Sequence, residues 1–246
     1  MSLTFAIPDL HGRADLLALA LGAITERASG AKSTVIFLGD YVGKGGDTSG
    51  VLARMVRGAT GGETWICLKG NHEAMMVAAL TGKLAFEAWL EKGGDAILAS
   101  YGVDARRKNA MAAVPAAHLD WLSGLRSIHV DAYRVYVHAG LDPSFPLGAQ
   151  NERDLLWKRY ADDDPGGHEG RVVVHGHRPF ADGPRIWSGR VDLDTLAWST
   201  GRLAVGVFED DRPGGPIDIL EVGRSRAAVR WHLLRERFSA LMSVAR

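Results

Sequence analysis

Five times along this chain a short apolar run ends on a compact polar cluster of His, Asp, Asn and Gly. Residues 3–7 run into Asp9-Leu10-His11-Gly12, and residues 34–38 into Gly39-Asp40-Tyr41. Residues 64–68 run into Gly70-Asn71-His72-Glu73, residues 134–137 into His138-Ala139-Gly140, and residues 171–174 into His175-Gly176-His177. Apolar runs of this length, bounded by turn residues, read as buried strands. A sheet presents its chemistry where the rigid strand stops and the loop begins. The fold therefore has to bring several strand ends to one place.

Between the first three runs lie amphipathic patterns over residues 14–28 and 49–59, which predict helices and a largely parallel β/α arrangement. Residues 73–125 then break the alternation. They are rich in Ala, Leu and Met and punctuated by Gly82, Gly93-Gly94 and Pro115, a pattern for several short helices beside the sheet. The second half returns to strands, at 127–130, 134–137, 171–174, 191–193, 202–208 and 217–222, with Arg212-Pro213-Gly214-Gly215-Pro216 as a turn between the last two. Helices mostly first and antiparallel strands later give an α/β fold of two mixed β-sheets packed as a sandwich and flanked by α-helices. Without internal repeats, residues 1–246 read as one domain. At the C-terminal end, Trp231, Leu234, Phe238 and Leu241 fit a helical stripe, whereas Ala227, Val229, Trp231 and Leu233 alternate as a strand does. A strand passing into a helix accommodates both.

Composition removes several function classes. Lys and Arg balance Asp and Glu at 29 each, and no basic run occurs, so the electrostatic footprint of a nucleic-acid binder is missing. One cysteine, Cys67, excludes a disulfide within the chain and reads as a small core residue. No apolar stretch is long enough to span a membrane, and the first one runs straight into Asp9 and His11 rather than a signal-peptide cleavage site. The expected compartment is the cytoplasm.

Taken singly the clusters are weak signals; in this order they point to metal. In extended chain, the spacing of Asp9 and His11 turns both side chains the same way. Imidazole nitrogen mixed with carboxylate and amide oxygen, without thiolate, suits Mn²⁺, Fe or Zn²⁺ better than Mg²⁺ or Ca²⁺. One carboxylate between two ligand groups suits a pair of ions about 3.5–4 Å apart.

The order DLHG, GDY, GNHE, HAG, HGH resembles that of the calcineurin-like metallophosphoesterases. The stretches Leu155-Leu156-Trp157-Lys158-Arg159 and Asp192-Leu193-Asp194-Thr195 resemble the bacterial and phage-type serine/threonine phosphoprotein phosphatases, and the resemblance spans roughly residues 4–208. It implies two divalent ions, with Asp9 and His11 on the first, Asn71, His138 and His177 on the second, and Asp40 bridging them. It implies His72 as the general acid, Arg159 as a bidentate clamp on phosphate, and a hydroxide that attacks phosphorus directly, without a phosphoenzyme. His175 falls at a position not needed for metal and reads as support behind the ligands.

One motif departs from the family. Where its pattern is GDxVDRG, this chain has Gly39-Asp40-Tyr41-Val42-Gly43-Lys44-Gly45. The missing Asp orients the acid in the family, and the missing Arg holds phosphate; Lys44 can replace the latter only as a point charge. Restoring the pattern with Gly43→Asp and Lys44→Arg is thus expected to raise kcat/KM, unless the loop has re-formed for another substrate. The acidic stretch Asp162–Glu169 reads as a solvated turn, with a gate or a metal ligand at His168 as alternatives.

The expected activity is hydrolysis of phosphomonoesters, with phosphoserine and phosphothreonine in proteins as leading substrates. The alternatives are a dinucleoside polyphosphate hydrolase of the diadenosine tetraphosphate type and a weakly active phosphate-binding relative. Expected partners are a phosphorylated protein or a small phosphoester, not nucleic acid or membrane, and the oligomeric state is left open.

Overall fold

Period-two alternation sorts the strand residues into separate cores. The computed structural model describes residues 2–225. In β1 (Leu3–Ile7) and β2 (Ser33–Phe37), Phe5, Ile7, Val35 and Phe37 pack outward, under Leu16, Leu17, Ala20 and Ile24 of α1 (Ala14–Ala28) and Val51, Leu52 and Met55 of α2 (Thr48–Arg57). Ala6 and Ile36 face the other way. They meet Tyr136 of β5 (Arg134–Val137), Val172 and Val174 of β6 (Val172–His175) and Val191 of β8 (Arg190–Asp192) in the layer between two sheets. The alternate residues Val135, Val137 and Val173 pack on the far side with Leu155. Full burial of each such side chain is worth about 1.5–3 kcal/mol, so register is strongly specified.

The first sheet also contains β3 (Thr64–Cys67), β9 (Arg202–Glu209) and β10 (Asp218–Gly223), in the order β10-β9-β1-β2-β3. The second contains β4 (Ile128–Val130) and β7 (Arg185–Ile186), in the order β4-β5-β6-β8-β7. Both are mixed, and two sheets flanked by helices is the architecture anticipated. The expectation of antiparallel strands in the second half holds only at the edges and for β9 and β10. At its centre β5, β6 and β8 are parallel, because each connection crosses back before the next strand starts. That parallel core sends His138 and His175-Gly176-His177 out at the same end.

Between β3 and β4 lie α3 (Asn71–Leu80), α4 (Phe86–Trp89), α5 (Asp95–Ser100) and α6 (Ala116–Ser123), with a wide turn at Leu90–Gly94. Among the described residues, two α-helices went unread in the sequence. In α7 (Glu152–Trp157) the Asn151 side chain accepts from Asp154 N at 2.9 Å, the capping signal that marks its start. The other, α8 (Ala197–Thr200), is a single turn. At the start of β5, the buried Arg134 donates to the carbonyls of Glu209, Arg212 and Gly214, tying the second sheet to the β9–β10 connection of the first.

Cys67 is half-buried on edge strand β3, and burial pushes its thiol up to about 12, so it stays a thiol at neutral pH. No helix among the described residues is long and apolar enough to cross a membrane. The alternating segment near Trp231 and the stripe reaching Leu241 lie outside the described residues.

Candidate metal centre

A buried carboxylate ties the second and third motifs together. Glu73, in the first turn of α3, is fully buried and accepts from the backbone N–H groups of Asp40 (2.7 Å), Gly70 (2.8 Å) and Val42 (3.1 Å). The loop after β2 is thereby held against the loop after β3. The approach is close enough that a Cβ at Gly39 would lie 2.5 Å from Gly70 N, and one at Gly70 would lie 2.2 Å from Asp40 Oδ1. Only glycine fits at either point. Burial, reinforced by Asp40, pushes the Glu73 carboxyl up to about 8 against the pull of those three N–H donors.

This packing aims Asp40 at the centre of the site. Its Oδ2 lies 3.6 Å from His11 Nε2, its Oδ1 lies 3.5 Å from His138 Nε2, and Oδ1 also accepts from His72 N at 3.0 Å. Each imidazole uses its other nitrogen on a carbonyl, His11 Nδ1 on Val42 O and His138 Nδ1 on Leu38 O, both at 3.0 Å. A carbonyl can only accept, so Nδ1 carries the proton in both rings and Nε2 presents a lone pair. Burial keeps them neutral: it pushes His11 down to about 4 and lowers His138 as well. Two lone pairs thus face one carboxylate.

The neighbours deepen the pattern. Asp9 Oδ2 lies 4.0 Å from His11 Nε2, while Oδ1 accepts from His177 N at 3.1 Å. Burial, then Asp194 and Asp40, raise the Asp9 carboxyl well above the usual range. Burial alone would raise Asp40 too, but the positive charge that His138, His72 and His11 take up on protonation outweighs it and holds the Asp40 carboxyl below that range. His177 comes within 4.8 Å of Asp40 and His138, and burial and then His138 push it down to about 3. Asn71 Oδ1 sits 3.0 Å from His138 Nε2, acceptor against acceptor. Turned over, the amide would donate to His138 (3.0 Å) and to both Asp40 oxygens (3.2 and 3.1 Å). Oxygen inward, it needs a cation. The donor set fits divalent metal: neutral imidazoles, carboxylates and an amide oxygen converge with few protons between them.

The cleft above, of about 350 Å³, is lined by Asp9, His11, Asp40, Lys44, Asn71, His72, Arg159 and His177. His138 lies just beneath them, fully buried. All nine residues singled out in the sequence come together here, though not by the alternation read for Asp9 and His11. The chain has already left the strand: His11, Asp40 and His177 have φ of 43°, 52° and 69°, a left-handed backbone that turns each side chain inward. His72 also comes within 4.8 Å of His11 and Asp40, a position open to a metal ligand as much as to the expected acid; it is partly exposed at the cleft. His175 stays out of the cleft. It is fully buried with Nδ1 at 3.0 Å from Gly176 O, its ring 5.2 Å from Tyr160, and burial pushes it down to about 3.

Trp157, Pro179, Asp194, Leu196 and Trp198 also line the cleft, and the sequence reading gave them no role. The acidic stretch does not line it. Asp162 pairs with Arg178 at 2.6 Å, and its carbonyl accepts from Trp187 Nε1 at 2.9 Å.

Gly43 sits where the loop leaves no room for a side chain. Its φ is 142°, and a Cβ there would lie 2.5 Å from His11 Nδ1 and 3.2 Å from His72 Nδ1. An aspartate cannot be added beside those rings without moving them. Contrary to the expectation from the family pattern, Gly43→Asp is expected to lower kcat/KM about 10-fold or more. Kinetics alongside metal analysis check this; a rise in kcat/KM with unchanged metal content would refute it.

The family model for calcineurin-like phosphoesterases matches residues 4–207. A search of curated proteins returns no significant match. Among solved structures, the chain is similar to a protein provisionally assigned as a diadenosine tetraphosphatase, at 22% identity and TM-score 0.64, covering 91% of this chain and 94% of that one. It is similar to a serine/threonine protein phosphatase from Saccharomyces cerevisiae, at 15% identity and TM-score 0.58, covering 91% and 80%. A cold-active protein tyrosine phosphatase is similar at 15% identity and TM-score 0.60, covering 92% and 80%. At these identities the likeness is one of fold. With its motifs, its two mixed sheets and a family match over most of its length, the chain belongs to the calcineurin-like phosphoesterase family.

Proposed function

We propose that this protein hydrolyses phosphomonoesters in the cleft around Asp40, with two divalent metal ions, Mn²⁺ foremost and Fe or Zn²⁺ as alternatives. Asp9 and His11 would hold one, Asn71, His138 and His177 the other, and Asp40 both. The observation that carries the reading is the pair of neutral Nε2 lone pairs aimed at the Asp40 carboxylate, an arrangement that repels unless a cation lies between. When bound, such ions lower the pKa of water and neutralise phosphate charge.

The remaining work falls to the chain. Arg159 and Lys44 bind non-bridging phosphate oxygens, Arg159 through its planar fork and Lys44 as a point charge. His72 gives its proton to the departing oxygen. Glu73 keeps the loops carrying Asp40 and His72 in register through its three N–H acceptor bonds.

Phosphoserine and phosphothreonine in proteins are the substrates suggested by the motif order. A second reading, dinucleoside polyphosphates, draws support from Trp157 and Trp198 beside the metal ligands, where a base can stack. The deciding test is a metal-titrated panel of an aryl phosphate, phosphoserine, phosphothreonine and phosphotyrosine peptides, and diadenosine tetraphosphate. Mn²⁺-dependent turnover led by the phosphoserine and phosphothreonine peptides is expected. Turnover of the dinucleotide alone would favour the second reading, and activity that survives a chelator would overturn the metal assignment.

A further inference from the structure

We infer that Trp198 is a positioning residue whose indole face holds the Lys44 ammonium in the cleft, ready for a substrate phosphate. The inference rests on the phosphoester reading above and deepens it, because it names the device that replaces a fixed arginine fork in this chain.

Lys44 leaves the backbone directly after Gly43, whose φ of 142° only glycine adopts readily, and its side chain has four rotatable bonds. Left to itself, such an ammonium samples solvent widely. Here its Nζ lies 5.2 Å from the centroid of the Trp198 ring, and both residues line the same cleft as Asp40 and Arg159. The choice of partner matters. A carboxylate would fix the ammonium by cancelling its charge and would repel an incoming phosphate. The face of an indole attracts a cation through its quadrupole and carries no net charge. Asp194, one of the acids lining the cleft, turns Oδ1 onto the Leu196 backbone N–H at 2.8 Å; it feels the Lys44 charge, but no hydrogen bond or ion pair joins the two among the described residues.

The segment bearing Trp198 is held firmly enough to act as such a support. Leu196 has φ 55°, a strained value for a leucine, which persists only where neighbours impose it. Arg13 Nη1 donates to Ala197 O at 2.9 Å and Trp198 O at 3.5 Å, and Arg13 is itself fixed by two bonds to Asp15, at 2.8 and 2.6 Å. Thr200 Oγ1 closes the turn onto Leu196 O at 3.1 Å. Strain and hydrogen bonding thus converge on the residues that orient the indole.

The test is a double-mutant cycle on Lys44 and Trp198 in the metal-loaded protein, read by KM and kcat on an aryl phosphate and by inhibition with inorganic phosphate. Trp198→Ala is expected to raise KM and the phosphate inhibition constant about 3–10-fold, with kcat changed less. Trp198→Phe, which keeps an aromatic face, falls between it and the wild type. In a Lys44→Ala background, Trp198→Ala then adds less than about twofold, because the group it positions is gone. Effects that multiply across the cycle would overturn the inference, as would a change confined to kcat. Should the protein turn over none of these substrates, the phosphoester reading fails by itself. Calorimetric titration with inorganic phosphate then decides the inference alone: weakened binding in Trp198→Ala and Trp198→Phe supports it, and unchanged binding overturns it.

Discussion

Asp40→Asn is expected to lower kcat/KM on every phosphoester by about 10³-fold or more and to reduce bound Mn²⁺ from the expected complement of about two equivalents to one or fewer. The substitution preserves the shape of the side chain and removes only its charge and one acceptor. That charge is what would reconcile the two lone pairs of His11 and His138, at 3.6 and 3.5 Å, with cations on either side. An amide there could instead donate to one imidazole and satisfy it without metal. Elemental analysis and kinetics on the same preparation check the prediction. Full metal content with near-normal turnover would remove Asp40 from the centre of the reaction.

His72→Ala should slow hydrolysis of a phosphoserine peptide by about 10²–10⁴-fold, and of an aryl phosphate with a good leaving group far less. The asymmetry follows from the leaving oxygen: an alkoxide departs only with a proton, while a stabilised phenolate leaves without one. Because His72 also lies within 4.8 Å of His11 and Asp40, the same experiment separates its two possible duties. Loss of a metal ligand would depress both substrates equally and lower metal content. Loss of an acid spares the aryl phosphate and leaves the metal in place.

Much of this site could be read in the sequence because each cluster follows a run that has to be a strand. Runs such as Val172-Val173-Val174 bury both faces and leave little freedom in where they end. Strand direction was less legible. Nothing in residues 171–174 or 191–193 distinguishes a parallel partner from an antiparallel one, since that depends on the path of the connection. The two residues of β7 carry no pattern, and the four of α8 are too few for helical periodicity.

Roles that depend on backbone conformation were hidden as well. Gly43 looks like the loss of an aspartate until its φ and its distance from His11 are known. Glu73 looks like the last letter of a motif until its oxygens are seen to accept from three N–H groups on two loops. Trp198 lies over a hundred residues from Lys44, and only the fold brings them together.

The ligand set also has a mechanical side. Asp9, Asp40 and Asn71 follow strands of the first sheet, whereas His138 and His177 follow strands of the second. The sandwich therefore carries two clasps of opposite polarity along β5. At the start of the strand, buried Arg134 is a cation fastened by three carbonyls. At its end, His138 and Asp40 form a socket of lone pairs that a cation would fasten. An ion gripped from both sheets adds its binding free energy to their adhesion, about 2.7 kcal/mol at a hundredfold excess over Kd. On the proposed ligand assignment, metal supply would govern how tightly this rim of the sandwich is shut, before any substrate arrives.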